Sequence, residues 1–379
     1  MKRLLLGSTA IASVAALALP AHAEMEMGIG GYYVGAAGLL LTQDDGPGES
    51  GDNTQSDAFR QDVEVYFTGD VTLDNGLSIG ARIQLEGMQS SDQIDEVYAF
   101  FEGEGWGQIR FGDTPEALAQ MCYLVPVAGN VFGVDSPYFD FGNAGQNGFA
   151  NTNSSCLGLD DNSTKIVYFS PSFGGFSFAA SWTPDRRGED QYSGVANSNG
   201  PGGTSFNNNS GQVDDNISAA VSFSHDFEAV SLVIGGAVSH ANWEAPAANQ
   251  DKDTMNYNAY FQVSFGGFLI GASGEYIDNW NSSSPSEQDL WMAGAAIVYS
   301  WDAWSVGLGY SHGTYEMTDN SDHDTLDIVQ LQASYALAEG ISIDGMLGYT
   351  TYNDDNEDNP GGNGDYDAVE TGVGFYIEF

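Results

Sequence analysis

The chain has 379 residues, of which 53 are Asp or Glu and only 9 are Lys or Arg, for a net charge of −44 at pH 7. That balance excludes nucleic acid as a partner, because a polyanion would be repelled rather than held. Hydrophobic residues still make up 42% of the chain and fall in periodic runs, so disorder can apply only to loops.

The N-terminus begins with basic Met1-Lys2-Arg3, continues through an apolar run from Leu4 to Leu19, and reaches a small-x-small site at Ala21-His22-Ala23. This is the pattern of a Sec-type signal peptide over residues 1–23, leaving residues 24–379 as one exported domain in which disulfides are permitted. No later stretch reaches the roughly 18 apolar residues that a transmembrane helix needs. A membrane crossing would have to use strands.

Beyond Ala23 the hydrophobic period is two. Leu77, Ile79, Ala81, Ile83 and Leu85 alternate with polar partners, as do Tyr257, Ala259, Phe261, Val263 and Phe265. The same holds for Trp304, Val306, Leu308 and Tyr310, and for Ile341, Ile343, Leu347 and Tyr349. Each run predicts a strand with one apolar and one polar face. The connections alternate as well. Short turns fall near 74–76, 103–105, 171–174, 226–228, 266–267, 301–302 and 339–340, and longer polar stretches lie between them. The expected fold is all-β, a transmembrane antiparallel β-barrel of about sixteen strands with both termini on the short-turn side. Trp106, Phe173, Phe176, Phe178, Trp182, Trp301 and Trp304 lie near turns and strand ends, where interfacial girdles would sit.

The scarce basic residues have a pattern of their own. Arg60, Arg82 and Arg110 each alternate with apolar neighbours on a predicted strand, so they should project into the lumen. On the lipid face each would cost about 2–4 kcal/mol near the midplane. With Lys165 they would form a basic wall, with Asp62, Glu64, Glu86 and Glu96 as lumen carboxylates that can pair with them.

Two segments carry a family resemblance. Gly105–Ala117 (GWGQIRFGDTPEA) and Asp161–Phe178 (DNSTKIVYFSPSFGGFSF) resemble the general diffusion porins of Gram-negative bacteria, particularly the alphaproteobacterial type. One departure is Val167, at a position before the tyrosine that is often basic in that family. The resemblance implies that the long stretch 113–162 is a third loop folded into the barrel as a constriction, with Glu116, Asp135 and Asp140 as its acidic side facing the basic wall. The loop also holds both cysteines, Cys122 and Cys156, which in an exported protein are expected to form a disulfide.

The last long loop, Asn353–Asp365, is rich in hard oxygen ligands suited to Ca²⁺. It lacks EF-hand spacing, with Pro360 where a glycine is needed, which favours a solvated acidic loop over a metal site. No cofactor is therefore expected. The mature histidines have no metal-ligand spacing and no hydrolase motif is present, so no enzyme activity is expected.

The final strand places Val369, Val373, Phe375, Ile377 and Phe379 on one face, ending on the terminal phenylalanine. It resembles the closing strand of Gram-negative outer-membrane proteins, in which Phe375, Ile377 and Phe379 would belong to the signal read by the insertion machinery. The expectation is an outer-membrane channel in contact with lipid and lipopolysaccharide, passing small hydrophilic solutes and ions with a preference for cations. The resemblance further implies a homotrimer, with Gly28 to Thr42, apolar on both faces, at the interface. A substrate-selective channel and a closed structural or adhesin barrel fit the same pattern.

Overall fold

The computed structural model describes residues 25–44, 55–88, 94–135, 154–160, 162–185, 212–244, 253–280, 288–316, 323–353 and 365–379. The expected leader 1–23, Asp140 and most of the acidic loop 353–365 lie outside the described residues.

The strands are β1 (Glu26–Gln43), β2 (Asp57–Thr72), β3 (Ser78–Glu86), β4 (Ile94–Gly103), β5 (Gly107–Asp113), β6 (Thr164–Phe169), β7 (Phe176–Asp185) and β8 (Gln212–Phe227). They continue as β9 (Val230–Glu244), β10 (Thr254–Phe265), β11 (Phe268–Asp278), β12 (Leu290–Trp301), β13 (Trp304–Glu316), β14 (His323–Ala338), β15 (Ile341–Asn353) and β16 (Tyr366–Glu378). One short helix, α1 (Ala117–Met121), follows β5. Each strand pairs antiparallel with its sequence neighbours, and β1 pairs with β16, so the sheet closes. Closure leaves no edge whose N–H and C=O groups would meet hydrocarbon.

The alternation read from sequence becomes the two faces of the wall. Ile83, Phe111, Ile166, Phe261, Leu308, Leu331 and Leu347 are exposed on the outside. The Phe265 and Phe268 rings (5.7 Å) and the Trp304 and Tyr335 rings (4.7 Å) meet at a tilt beside the short turns, as an aromatic girdle would. Each of the seven short turns falls within two residues of its expected place.

The terminal phenylalanine completes the seam. Phe379 exchanges main-chain bonds with Gly31 (2.9 and 3.0 Å), and its ring lies where a Cβ on residue 31 would be, 3.0 Å away. Phe375, Ile377 and Phe379 are all exposed on the outer surface. The inner face of β1 behaves differently from what its apolarity suggested. Val34, Ala36 and Leu40 are buried against Val131 and Phe132 of the connection between β5 and β6. One apolar face of β1 thus serves the interior of this barrel, and only the other, with Ile29, Leu39 and Leu41, is exposed.

Candidate functional site

The connection between β5 and β6 is described at 114–135, 154–160 and 162–163, and it lies along the inner wall. Its backbone has no strand to pair with, so its polar groups find side chains from the barrel. At α1 the Ala117 N–H donates to Ser181 Oγ of β7 (3.0 Å) and the Leu118 N–H to Ser218 Oγ of β8 (2.9 Å). Farther along, Gln262 of β10 donates to the Leu124 carbonyl (3.0 Å). The Ala128 N–H reaches Gln332 Oε1 of β14 (2.8 Å), and the Asn130 and Val131 N–H groups share Asp344 Oδ2 of β15 (2.7 and 3.0 Å). Ser311 of β13 closes the series on the Val134 carbonyl (2.9 Å). Val125, Val131, Phe132 and Val134 pack among Ala296, Leu326, Ile328 and Met346. The loop therefore covers the inner wall from β7 round to β1.

The returning limb is fixed just as firmly. Asn258 of β10 donates to the Ser155 carbonyl (2.5 Å), and Leu157 N–H donates to Glu275 Oε2 of β11 (2.9 Å). Cys122 and Cys156 form a disulfide that ties the two limbs together across 34 residues.

Of the two described constriction carboxylates, Glu116 is turned into the wall and Asp135 into the loop's own backbone, which corrects for these two the expectation that they oppose a basic wall across the lumen. Glu116 is buried and accepts hydrogen bonds from Leu159 N–H (2.7 Å), Asn216 Nδ2 (2.6 Å) and Ser239 Oγ (2.6 Å). Asp135 is buried and accepts from Val125 N–H (3.1 Å), Ser155 N–H (2.6 Å) and Ser155 Oγ (2.7 Å). Loss of water raises both acids: burial pushes Asp135 up to about 6, against the opposing pull of its donors. Burial, and then the nearby Asp160 charge, raise Glu116. The physical reason for the inward turn is that a loop crossing a wall without strand pairing must supply acceptors for its own N–H groups, and short carboxylates do so.

Lys165 also differs from its expected place on an open wall. Its side chain is fully buried, 3.6 Å from Asp160, and its ammonium donates to the carbonyls of Ser163 (2.6 Å) and Thr114. It fastens the base of the loop.

The three arginines stay half-buried on β2, β3 and β5. Arg82 lies over the Tyr66 ring at 4.3 Å and donates to Gln84 (2.8 Å). Arg110 lies between the Tyr98 and Phe169 rings, 4.8 Å from each, and donates to Gln108 (2.6 Å) and Gln120 (2.7 Å). Carboxylates interleave with them on the same arc. Tyr32 donates to Asp62 (3.0 Å) and Glu64 (2.6 Å), and Gln84 donates to Glu64 (2.5 Å) and Asp95 (3.0 Å). Thr114 donates to Glu96 (3.0 Å). Ligand oxygens of Glu64, Glu86 and Asp95 lie within 4.8 Å of one another. Asp95 was missed in the sequence because strict alternation assigns it the face opposite Glu96. A register shift where β3 meets β4 lets both reach the lumen. The result is a mixed-charge wall on β2–β5 facing a loop whose described carboxylates, Glu116, Asp135 and Asp160, are buried.

Residues 8–356 match the family model described as Gram-negative porin. No curated protein matches the chain. Solved structures of similar shape include the outer-membrane channel DcaP of Acinetobacter baumannii, with 12% identity and TM-score 0.60 over 94% of this chain and 97% of that one. An anion-selective porin from Comamonas acidovorans has 14% identity and TM-score 0.58, over 94% and 100%. The trimer form of OmpT of Vibrio cholerae has 14% identity and TM-score 0.57, over 94% and 99%. At these identities the structures speak for the fold. The family match carries the identity: this chain belongs to the Gram-negative porins, the channel-forming barrels of the outer membrane.

Proposed function

We propose that this chain forms a water-filled channel for passive diffusion of small hydrophilic solutes and ions, that it prefers cations, and that it works as a homotrimer. The carrying observation is the division of the lumen. The described loop is pinned along β7–β1 and reaches the β2–β5 arc only at its ends, through Thr114, Gln120 and Asn162, while Arg60, Asp62, Glu64, Arg82 and Glu86 stay half-exposed. A solute moving past them exchanges hydration water for ionised and amide groups, so polar solutes pass and purely apolar ones lose hydration without compensation. On that arc Asp62, Glu64, Glu86, Asp95 and Glu96 outnumber Arg60, Arg82 and Arg110, which supports a negative local potential. The exposed outer residues of β1 offer the apolar surface a subunit contact needs. Export is read as Sec-dependent, with cleavage after Ala23.

The test is a planar bilayer recording on purified, folded protein. Ohmic steps in groups of three, with a reversal potential favouring K⁺ across a KCl gradient, are expected. Absence of conductance from heat-modifiable protein would overturn the channel.

A further inference from the structure

Among the described loop residues, two neighbouring apolar side chains stay exposed beside β10. Tyr123 and Leu124 are 40% and 43% exposed, although they sit between the disulfide residue Cys122 and buried Val125. Neither can easily withdraw. Tyr123 stacks on Tyr260 of β10 at 5.2 Å, the Leu124 carbonyl takes the Gln262 amide, and the Val125 N–H next to it is bound by Asp135. In a closed ring of sixteen strands, β10 stands eight places from β2, so this pair lies across the lumen from the mixed-charge wall.

We infer that the passage selects amphiphilic zwitterions, free amino acids and short peptides bearing an aromatic or branched apolar side chain. The inference rests on the channel reading and names its solute class. The chemistry is complementary at both ends. The Arg82 guanidinium lies over the Tyr66 ring at 4.3 Å, and its N–H groups can receive a carboxylate in the lumen. The Gln84 amide bridges Arg82 to Glu64 and Asp95, so carboxylates for an ammonium group lie beside that guanidinium. The solute's apolar side chain is left for Tyr123 and Leu124. Stacking against an aromatic ring and cover for Leu124 both remove apolar surface from water, which a sugar or a serine cannot do. The wall supplies orientation, and the loop edge discriminates among zwitterions of similar charge.

The experiment adds L-tryptophan, L-phenylalanine, L-serine or glucose to one side of a bilayer holding the full chain in KCl. Saturable reduction of the ion current by the two aromatic amino acids, and little by serine or glucose, is expected. In the double variant Tyr123→Ser, Leu124→Ser the half-blocking concentration should rise about three- to tenfold, the loss of one ring contact, in channels that still open to KCl. Tyr123→Phe should keep the block. Equal block by tryptophan and serine, or undiminished block in the double variant, would overturn the inference while leaving a working channel. A silent bilayer would instead remove the channel reading beneath it.

Discussion

Gly129 has φ +101°, in the left-handed region, and a Cβ there would lie 2.5 Å from the Asp344 carboxylate. That carboxylate binds the next two backbone N–H groups, so Gly129→Ala should push the loop off its anchor on β15. Each buried N–H left without an acceptor costs about 1–3 kcal/mol. The expected outcome is faster hydrogen exchange at the Asn130 and Val131 amides together with a noisier open channel, and unchanged protection would count against the anchor. Asp135 makes a pH prediction of the opposite kind. Its carboxyl is raised from 3.8 to about 6 by burial, so the folded loop binds a proton more tightly than the unfolded loop does. Stability of the loop fold is therefore highest below the ordinary carboxylate range and is lost as pH rises through about 6. Open-channel noise should grow between pH 5 and about 7, with a component centred near 6. Asp135→Asn should remove that component. Its persistence would assign the pH response to another group.

Strands and turns were legible because a two-residue period and a turn chemistry repeat along the chain. Leu308, Tyr310 and Val306 read as outward-facing and are exposed. The loop was legible in length and place but not in orientation. Glu116 and Asp135 read as lumen charges because the family resemblance implies an acidic third loop facing a basic wall. Their burial depends on partners that no local pattern reveals: Asn216 lies 100 residues beyond Glu116, and Ser239 lies 123 beyond it. The same holds for Lys165, whose acceptors come from both ends of the loop. At this scale the disulfide is the testable part. By loop entropy it disfavours the open chain by about 4 kcal/mol, but the limbs also have separate anchors on β10, β11, β14 and β15. The variant Cys122→Ser, Cys156→Ser should therefore keep a folded, heat-modifiable barrel and lose rigidity only near Tyr123 and Ser155. Faster exchange at those amides with unchanged barrel unfolding is expected. Failure of the barrel to fold would show that the disulfide supports assembly as well as the loop.

For the molecule as a whole, the proposed ion preference turns on the placement of both charge signs on one arc. A basic wall facing an acidic loop would set a field across the lumen. Here Arg60, Arg82 and Arg110 share β2, β3 and β5 with Asp62, Glu64 and Glu86, and the opposite side offers Tyr123 and Leu124. Neighbouring opposite charges largely cancel at a distance, so the net sign of the arc governs selectivity, and only for ions passing close to it. The Debye length is about 10 Å at 0.1 M salt and about 3 Å at 1 M, so cation preference should be clear at low KCl and fade at high KCl. Glu64→Gln with Glu86→Gln removes two negative charges beside Arg82, and the reversal potential should move toward anions. Arg82→Gln should move it the other way. Both shifts should shrink together as KCl is raised. If the two variants shift selectivity in the same direction, or if neither depends on salt, the arc does not sort ions. The sorting would then belong to charges in the outer loops.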